Sequence, residues 1–485
     1  MGYNIMLEWI KIFMEEIGDM VFSSLTFVCV FLPLVLLFYS LCKNITYKNI
    51  ILATASLVFY AWGEPSLLLL LLTASIVNYL LALGIGVCHK RDNGIGAKLL
   101  VVGAIIFDIL MIGVFKYAAF TVNSINSVFR LSFPVPEIGL PLGISFYTFQ
   151  ILTYVLDVYR KDTPVQKSYL KFITFVSMFP QLVAGPIVRY QEVAEGLDDR
   201  KVTVSDFADG ATQFVLGLAK KIFLANFAGD AKDILFAAST TPTVGSAWLG
   251  IIFYSFQLYF DFSAYSDMAI GMGKMIGFKF PMNFNYPYIS RSITEFWRRW
   301  HMTLSSFFRD YVYFPLGGSR CSKSRICFNL MVVWALTGLW HGASWNFVLW
   351  GVYYGILLII EKMLFSKWAK VPVLSNITTL FFVVIGWTLF YFTDFNQLIS
   401  FFKTMFGFNG GLYDITTVSV LYGNIVLLVA LVLASTPLPY KLFNKLISIK
   451  GIGMIIEGVV VVVLFAASIA TLTGSTSNPF LYFRF

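Results

Sequence analysis

Long apolar runs recur from one end of this sequence to the other, and they decide what the chain can fold into. Three of them, 21–41, 67–87 and 453–472, approach or reach the roughly 20 residues that cross a bilayer as a helix. Charged residues make up only 13% of the 485 residues, about half the ~25% of a soluble domain. The sequence therefore predicts an all-α, multi-pass protein embedded in the lipid bilayer, and it excludes secreted, cytosolic and disordered classes.

Other apolar runs are short or interrupted by Gly and Pro, as in 50–62, 172–188, 328–341 and 418–434. Irregular backbone at membrane depth survives only where protein or a water-filled cavity satisfies it. These runs therefore predict broken spans around a cavity. With no repeat, linker or low-complexity segment, we expect one integral membrane domain over 1–485.

The net charge of +9 comes from 35 Lys and Arg against 26 Asp and Glu. In a membrane protein such an excess is typical of cytoplasmic loops, so we expect no nucleic-acid partner. The five cysteines have neither CxxC spacing nor the spacing of zinc ligands. The sequence therefore predicts that they serve as small hydrophobic side chains. We expect no bound metal.

The most polar window of the C-terminal half, 291–325, holds seven basic residues and is predicted to be cytoplasmic. Its apolar residues recur at helical spacing, which predicts a helix over 294–311 lying in the membrane interface. We expect Ser292 or Thr294 to cap this helix, and Glu295 to pair with Arg299. The Gly317-Gly318 turn should end it.

Two histidines are candidates for chemistry. His301 falls at the edge of the apolar stripe, where an imidazole points into protein and is more often a structural hydrogen bonder. His341 lies in an apolar stretch, where a titratable residue is a functional candidate. Two roles for it are equally open: a general base in catalysis and a histidine that only packs against its neighbours. The small residues Gly338 and Gly342 predict either a close helix contact or room for a substrate.

Competing chemistry has no motif here: GxSxG, HExxH and Walker A sequences are absent. A polar cluster, DFSAYSD over 261–267, interrupts an apolar run. Its residues Asp261 and Ser263 either cap and hydrogen-bond within the helix or line a polar cavity.

Long motifs now complete the pattern: LVFYAWGEP (57–65), LPLGISFYTFQ (140–150), FPQLVAGPIVRY (179–190), YFDFSAYSDMAIGMG (259–273), LTGLWHGASWNFVLWG (336–351) and the terminal NPFLYFRF (478–485). With them the chain resembles the membrane-bound O-acyltransferase (MBOAT) family, and within it the bacterial alginate O-acetyltransferase (AlgI-like) branch. The resemblance runs nearly end to end.

The resemblance implies a ring of about 10 to 12 tilted, partly broken membrane helices, with interfacial amphipathic helices, around a central tunnel. It implies an acyltransferase of the bacterial cell membrane. The family's signature histidine corresponds to His341, and the family's second site position corresponds to His301.

For function, the resemblance implies acetyl transfer from a cytoplasmic thioester, acetyl-CoA, with no bound cofactor. The acetyl group crosses the membrane to an extracytoplasmic SGNH-hydrolase-like partner that acetylates a polysaccharide: an alginate-like or other exopolysaccharide, or peptidoglycan. In this hypothesis His341 deprotonates a hydroxyl, and His301 orients or polarises the thioester. Residues predicted to contact the donor or substrate are Arg298, Arg299, Arg309, Trp340, Asp261 and Ser263.

Two alternatives stay open at this point. One is D-alanyl transfer to teichoic acid from an acyl-carrier protein, which keeps the fold and changes the acyl group. The other is a glycan transporter or flippase without chemistry, although transporters often show two related halves and no internal repeat is visible.

Overall fold

The protein is described here from a computed structural model. It covers residues 20–63, 65–182, 185–237, 242–364, 371–449, 451–474 and 480–481. Throughout these residues the regular secondary structure is helical, which confirms the all-α prediction. Most of the motif at 478–485 lies outside the described residues. So do residue 64 of the motif 57–65 and residues 183 and 184 of the motif 179–190.

Helices of the first half are mostly short. They are the α-helices Leu32–Leu41, Ile45–Gly63, Leu68–Lys90, Gly94–Ile112, Ala118–Phe129, Ile144–Arg160, Tyr169–Ser177, Phe179–Leu182, Tyr190–Asp198, Val204–Ala219 and Phe227–Leu235. Two π-helical segments, Gly113–Tyr117 and Lys220–Asn226, join neighbouring helices end to end, and a third, Thr26–Phe31, leads into Leu32–Leu41.

The second half begins with the longest helix, Val244–Met275. After it come the α-helices Ile293–Arg299, Met302–Phe308, Lys323–His341, Trp345–Met363, Pro372–Tyr391, Phe395–Met405, Ile415–Gly423, Ile425–Ala434, Leu438–Ile447 and Gly453–Gly474. A fourth π-helical segment, Arg309–Tyr313, extends the helix that ends at Phe308.

Five of the described helices are long and apolar enough to cross a membrane: Pro65–Lys90, Gly94–Phe129, Trp345–Met363, Val373–Tyr391 and Gly453–Gly474. A sixth candidate is the pair Ile415–Gly423 and Ile425–Ala434, which bends by 58° at its break. The predicted run at 418–434 is therefore broken, as expected. The protein is a multi-pass membrane protein, and its remaining apolar helices fall below the length or hydropathy of a full span.

The chain divides into two compact units. The first is built mainly from the residues up to Phe214 together with Asp267–Pro281. In it, helix Leu68–Lys90 packs against both Gly94–Ile112 and Ile144–Arg160. Rings of Phe22, Phe27, Phe31, Phe59 and Phe179 form one of its apolar clusters.

The second unit comprises Val215–Ser266 and Met282–Thr471. Its tightest helix pair is Lys323–His341 against Trp345–Met363, and Pro372–Tyr391 packs on the latter. An aromatic cluster joins these helices: Trp297, Trp334, Trp350, Tyr354 and Trp387. Both predicted catalytic histidines belong to this unit.

The predicted single helix over 294–311 is two helices. Ile293–Arg299 ends at Trp300, and Met302–Phe308 begins after His301. Most of the periodic side chains are buried: Trp297, Trp300, Leu304, Phe307 and Phe308. The ring of Trp297 packs against the protein's own Trp334, with centroids 4.6 Å apart. The expectation that this apolar face lies in the membrane interface is therefore wrong for Trp297, because other helices of the chain cover it.

Candidate active site

A sharp turn places His301 between the two short helices. Its backbone adopts φ +44°, in the left-handed region that a non-glycine residue enters only when its surroundings hold it there. The segment around Asn283 supplies that support. The backbone N–H of Met302 donates to the Asn283 carbonyl at 2.9 Å, and the N–H of Asn285 donates to the Arg299 carbonyl at 2.9 Å.

The imidazole of His301 is only 1% exposed. Its Nδ1 lies 3.1 Å from Asn283 Oδ1, and its Nε2 has no hydrogen-bond partner among the described residues. The rings of Phe262 and Trp340 stand edge-on to it, with centroids at 4.7 and 5.7 Å. His301 lies outside the candidate membrane spans, and burial lowers its pKa to about 3, so the ring is neutral at physiological pH.

His341 is the last residue of helix Lys323–His341 and is 5% exposed. Three aromatic rings stand edge-on to its imidazole: Trp340 at 5.0 Å, Trp350 at 4.9 Å and Phe390 at 5.4 Å between centroids. Trp340 thus contacts both histidines. The structure brings the two predicted catalytic residues together around one indole ring, 40 positions apart in sequence.

Glycines set how closely the helices beside His341 approach. A Cβ on Gly338 would lie 2.3 Å from the carbonyl oxygen of Phe347, and a Cβ on Gly351 would lie 2.3 Å from that of Trp334. A Cβ on Gly342 would meet the Phe347 ring at 2.2 Å. Of the two possibilities left open by the sequence, these glycines serve close helix packing, because protein atoms already fill the space.

The three predicted donor-contacting arginines differ in their surroundings. Arg299 pairs with Glu295 at 2.9 Å, as the i,i+4 spacing predicted, and Arg309 pairs with its neighbour Asp310 at 2.7 Å. Arg298 is exposed and has no ion-pair partner among the described residues. Arg298 is therefore the one most open to an anionic ligand.

Asp261 has a partner that the sequence did not predict. Lys221, on the π-helical segment Lys220–Asn226, donates to its carboxylate at 2.5 Å, and the two side chains are 5% and 1% exposed. Ser263 is buried and accepts from Lys220 Nζ at 3.5 Å. This geometry favours internal pairing over an open cavity wall. A role of Asp261 or Ser263 in donor binding stays a prediction.

The helix that precedes His301 starts as predicted, with one addition. The Ser292 hydroxyl accepts from the N–H of Glu295 at 3.0 Å and caps the first turn. In addition, Glu361 of helix Trp345–Met363 accepts from the N–H of Ile293 at 2.6 Å. A carboxylate at a helix N-terminus stabilises the exposed N–H groups and complements the helix dipole.

The sequence analysis missed Asn283, Glu361 and Lys221. Asn283 lies 18 positions from His301, and Glu361 lies 68 positions from Ile293, so no helical periodicity links them. A weak signal existed for Asn283: it opens the NFNYPY run just before the polar window. Among the described residues, no group of three or more His, Cys, Asp or Glu could hold a metal ion.

Comparison with known proteins decides the family. The profile of the MBOAT, membrane-bound O-acyltransferase family, matches residues 159–402, which include both histidines and their aromatic neighbours. The chain belongs to the MBOAT family. It is therefore an O-acyltransferase, and His301 and His341 lie inside the matched region.

Named relatives agree with this assignment. The chain is 39% identical over 504 residues to a protein of Azotobacter vinelandii named "Probable alginate O-acetylase AlgI", covering 96% of this chain and 100% of that one. It is 33% identical to a peptidoglycan O-acetyltransferase of Helicobacter pylori over 81% and 80% of the two chains. It is 30% identical to a teichoic acid D-alanyltransferase of Bacillus subtilis, over 51% and 68%. The protein is thus a multi-pass bacterial membrane acyltransferase.

Proposed function

We propose that this MBOAT protein carries an acetyl group across the membrane for O-acetylation of an extracytoplasmic polysaccharide. The observation that carries the proposal is the pair of buried imidazoles, His301 and His341, that share contact with Trp340. Two relatives of high coverage are named for acetyl transfer to alginate and to peptidoglycan. A polysaccharide hydroxyl, reached directly or through a partner, is therefore the proposed acceptor.

The proposed chemistry is transfer from a thioester to a hydroxyl. His341 takes the hydroxyl proton while the hydroxyl oxygen attacks the thioester carbonyl carbon. The tetrahedral intermediate then collapses, the C–S bond breaks, and the thiolate leaves with the proton that the imidazolium returns. Trp340, Trp350 and Phe390 surround the imidazole and keep water from competing with the acceptor.

The proposed donor is acetyl-CoA on the cytoplasmic side, with no bound cofactor. Arg298 supports this choice because its guanidinium is exposed and unpaired among the described residues. Guanidinium groups bind phosphate with charge-assisted hydrogen bonds. Arg299 and Arg309 would need to leave their carboxylate partners to do the same, so we assign the main phosphate contact to Arg298.

The proposed partner is an SGNH-hydrolase-like acetyltransferase outside the membrane, which receives the acetyl group and modifies the polymer. Two apolar units of helices account for the described residues. The relatives named for acetyl transfer to alginate and to peptidoglycan support an acceptor outside the membrane, which such a partner would reach.

D-alanyl transfer is the second candidate, supported by the relative of Bacillus subtilis. That match covers 51% of this chain, whereas the alginate O-acetylase match covers 96% at higher identity. The acetyl group is therefore the acyl group that we propose.

The test is glycan analysis in the native host. We expect mass spectrometry to show that one extracellular glycan loses its acetyl groups when His341→Ala replaces the wild-type protein at equal membrane abundance. His89→Ala is the matched control, since His89 lies in the last turn of helix Leu68–Lys90, far along the chain from the site. Unchanged acetylation in the His341→Ala strain would refute the proposed role, and loss of D-alanine esters instead would favour the second candidate.

A further inference from the structure

The contacts of His301 contain information about which ring nitrogen carries its proton. Three groups converge on Asn283 Oδ1: His301 Nδ1 at 3.1 Å, the Thr303 backbone nitrogen at 3.3 Å and the Thr303 hydroxyl at 3.0 Å. A backbone N–H can only donate a hydrogen bond. The side-chain atom of Asn283 that faces it must therefore be the carbonyl oxygen and not the amide nitrogen.

That assignment fixes the tautomer of the histidine. A carbonyl oxygen only accepts hydrogen bonds, so Nδ1 of His301 must carry the hydrogen. In the neutral ring the other nitrogen, Nε2, then carries a lone pair and no hydrogen. Nε2 is buried and has no partner among the described residues, so its lone pair is available to accept a hydrogen bond.

We infer that Asn283 is a positioning residue of the acyltransferase site, holding His301 as the Nδ1–H tautomer so that Nε2 accepts a hydrogen bond from the reacting groups. This inference rests on the proposed function and sharpens it. An Nε2 without a hydrogen cannot donate to a thioester carbonyl. His301 therefore does not polarise the donor, and it acts instead by accepting from the incoming hydroxyl or from an N–H of the donor.

Asn283 also holds the backbone on which this tautomer depends. Its carbonyl accepts from Met302, directly after the left-handed turn of His301. Backbone and side chain of one residue thus fix both the turn and the orientation of the ring. Partners of this kind orient a histidine in the same way as the carbonyl or carboxylate behind a metal-bound or catalytic histidine.

The described contacts of the His301 ring involve no charged side chain, which makes its titration interpretable. Within the described part of the chain its side-chain contacts are with Asn283, Phe262 and Trp340, none of which titrates. Two titratable groups adjoin these contacts: Asp261, which precedes Phe262 in the chain and pairs with Lys221, and His341, whose ring contacts Trp340.

The tautomer can be read without substrate, because the chain has only three histidines. With ¹⁵N-labelled histidine in nanodiscs, the signals of His89, His301 and His341 are assigned by single replacement with Gln. We expect the wild-type His301 to show a protonated Nδ1 and an unprotonated Nε2. A protonated Nε2 in the wild-type protein would overturn the inference with no variant needed.

Variants then connect the tautomer to catalysis. Asn283→Ala should admit the Nε2–H tautomer and lower kcat by about 10- to 100-fold, the usual effect of losing such a partner. Asn285→Ala is the matched control, because Asn285 is exposed and its side chain makes no hydrogen bond with another described residue; we expect wild-type kcat. Asn283→Asp keeps an acceptor for Nδ1–H, and its charge should raise the pKa of His301 and move the acid limb of the kcat/KM profile to higher pH.

The two proposals fail separately. An active Asn283→Ala enzyme beside an inactive His341→Ala enzyme would overturn the positioning role and leave the proposed function intact. Full activity in both variants would overturn the proposed function. An acid limb of Asn283→Asp that coincides with the wild-type limb would also contradict the positioning role, since a carboxylate in contact with Nδ1–H must stabilise the charged ring.

Discussion

Replacing Asp261 should separate a structural carboxylate from a donor-binding one. Its partner Lys221 lies at 2.5 Å, and both side chains are almost fully buried. Asp261→Leu leaves the ammonium group buried without its carboxylate, and breaking such a pair typically costs about 3–5 kcal/mol. The double variant Lys221→Met/Asp261→Leu removes both charges, and such replacements are often neutral or stabilising, by about 1–4 kcal/mol.

Thermal unfolding in detergent and acetyl transfer are measured on the same preparations. We expect Asp261→Leu to unfold at a clearly lower temperature and the double variant to recover most of the loss. Asp198→Asn is the control, because its ion pair with Lys171 is largely exposed and surface pairs contribute only about 0–1 kcal/mol. A double variant no more stable than Asp261→Leu would refute the reasoning. A stable but inactive double variant would instead support the predicted donor-binding role.

Three further results are expected. Gly351→Ala should separate its helix pair and destabilise the protein by about 1–3 kcal/mol. Gly458→Ala, with open space where its Cβ would lie, should be at least as stable as the wild type, because Ala favours a helix more than Gly does. Equal melting temperatures of the two variants would contradict the packing argument. Glu361→Ala should lower the free energy of unfolding by about 0.5–2 kcal/mol, as for other lost helix caps, because the N–H of Ile293 loses its acceptor. A smaller loss in thermal unfolding would mean that solvent satisfies this N–H as well as the carboxylate does. Burial holds the pKa of His301 at about 3, below its ordinary 6.5, so the unfolded chain binds a proton that the folded chain excludes. The free energy of unfolding should therefore fall as the pH drops from about 6.5 towards 3. His301→Asn should weaken this pH dependence in acid unfolding measurements.

Sequence patterns predicted the local features of the site and missed the distant ones. The Ser292 cap and the Glu295–Arg299 pair follow from spacings of three and four residues, and both are confirmed. The close approach of helices at Gly338 was one of two open possibilities, because a small residue permits contact with protein or with a ligand. Only the position of the Phe347 carbonyl decided it.

The break at His301 shows why periodicity alone was not enough. Apolar residues continue at helical spacing through Trp300 and Leu304, and neither Gly nor Pro interrupts the stretch. A helix prediction was therefore the natural reading. The backbone leaves the helix because Asn283 accepts the N–H of Met302, a hydrogen bond 19 residues away in sequence that no local propensity describes.

That same contact connects the fold error to the proposed chemistry. If 294–311 were one continuous helix, the N–H groups after His301 would bond within it, and Asn283 would lose the N–H donors of Met302 and Thr303. The turn releases the Met302 N–H to the Asn283 backbone and aligns Thr303 and His301 Nδ1 on one carboxamide oxygen. The strained φ of His301 is thus the local cost of presenting its second nitrogen unpaired. A substitution that restored the helix would lose the tautomer and the site together.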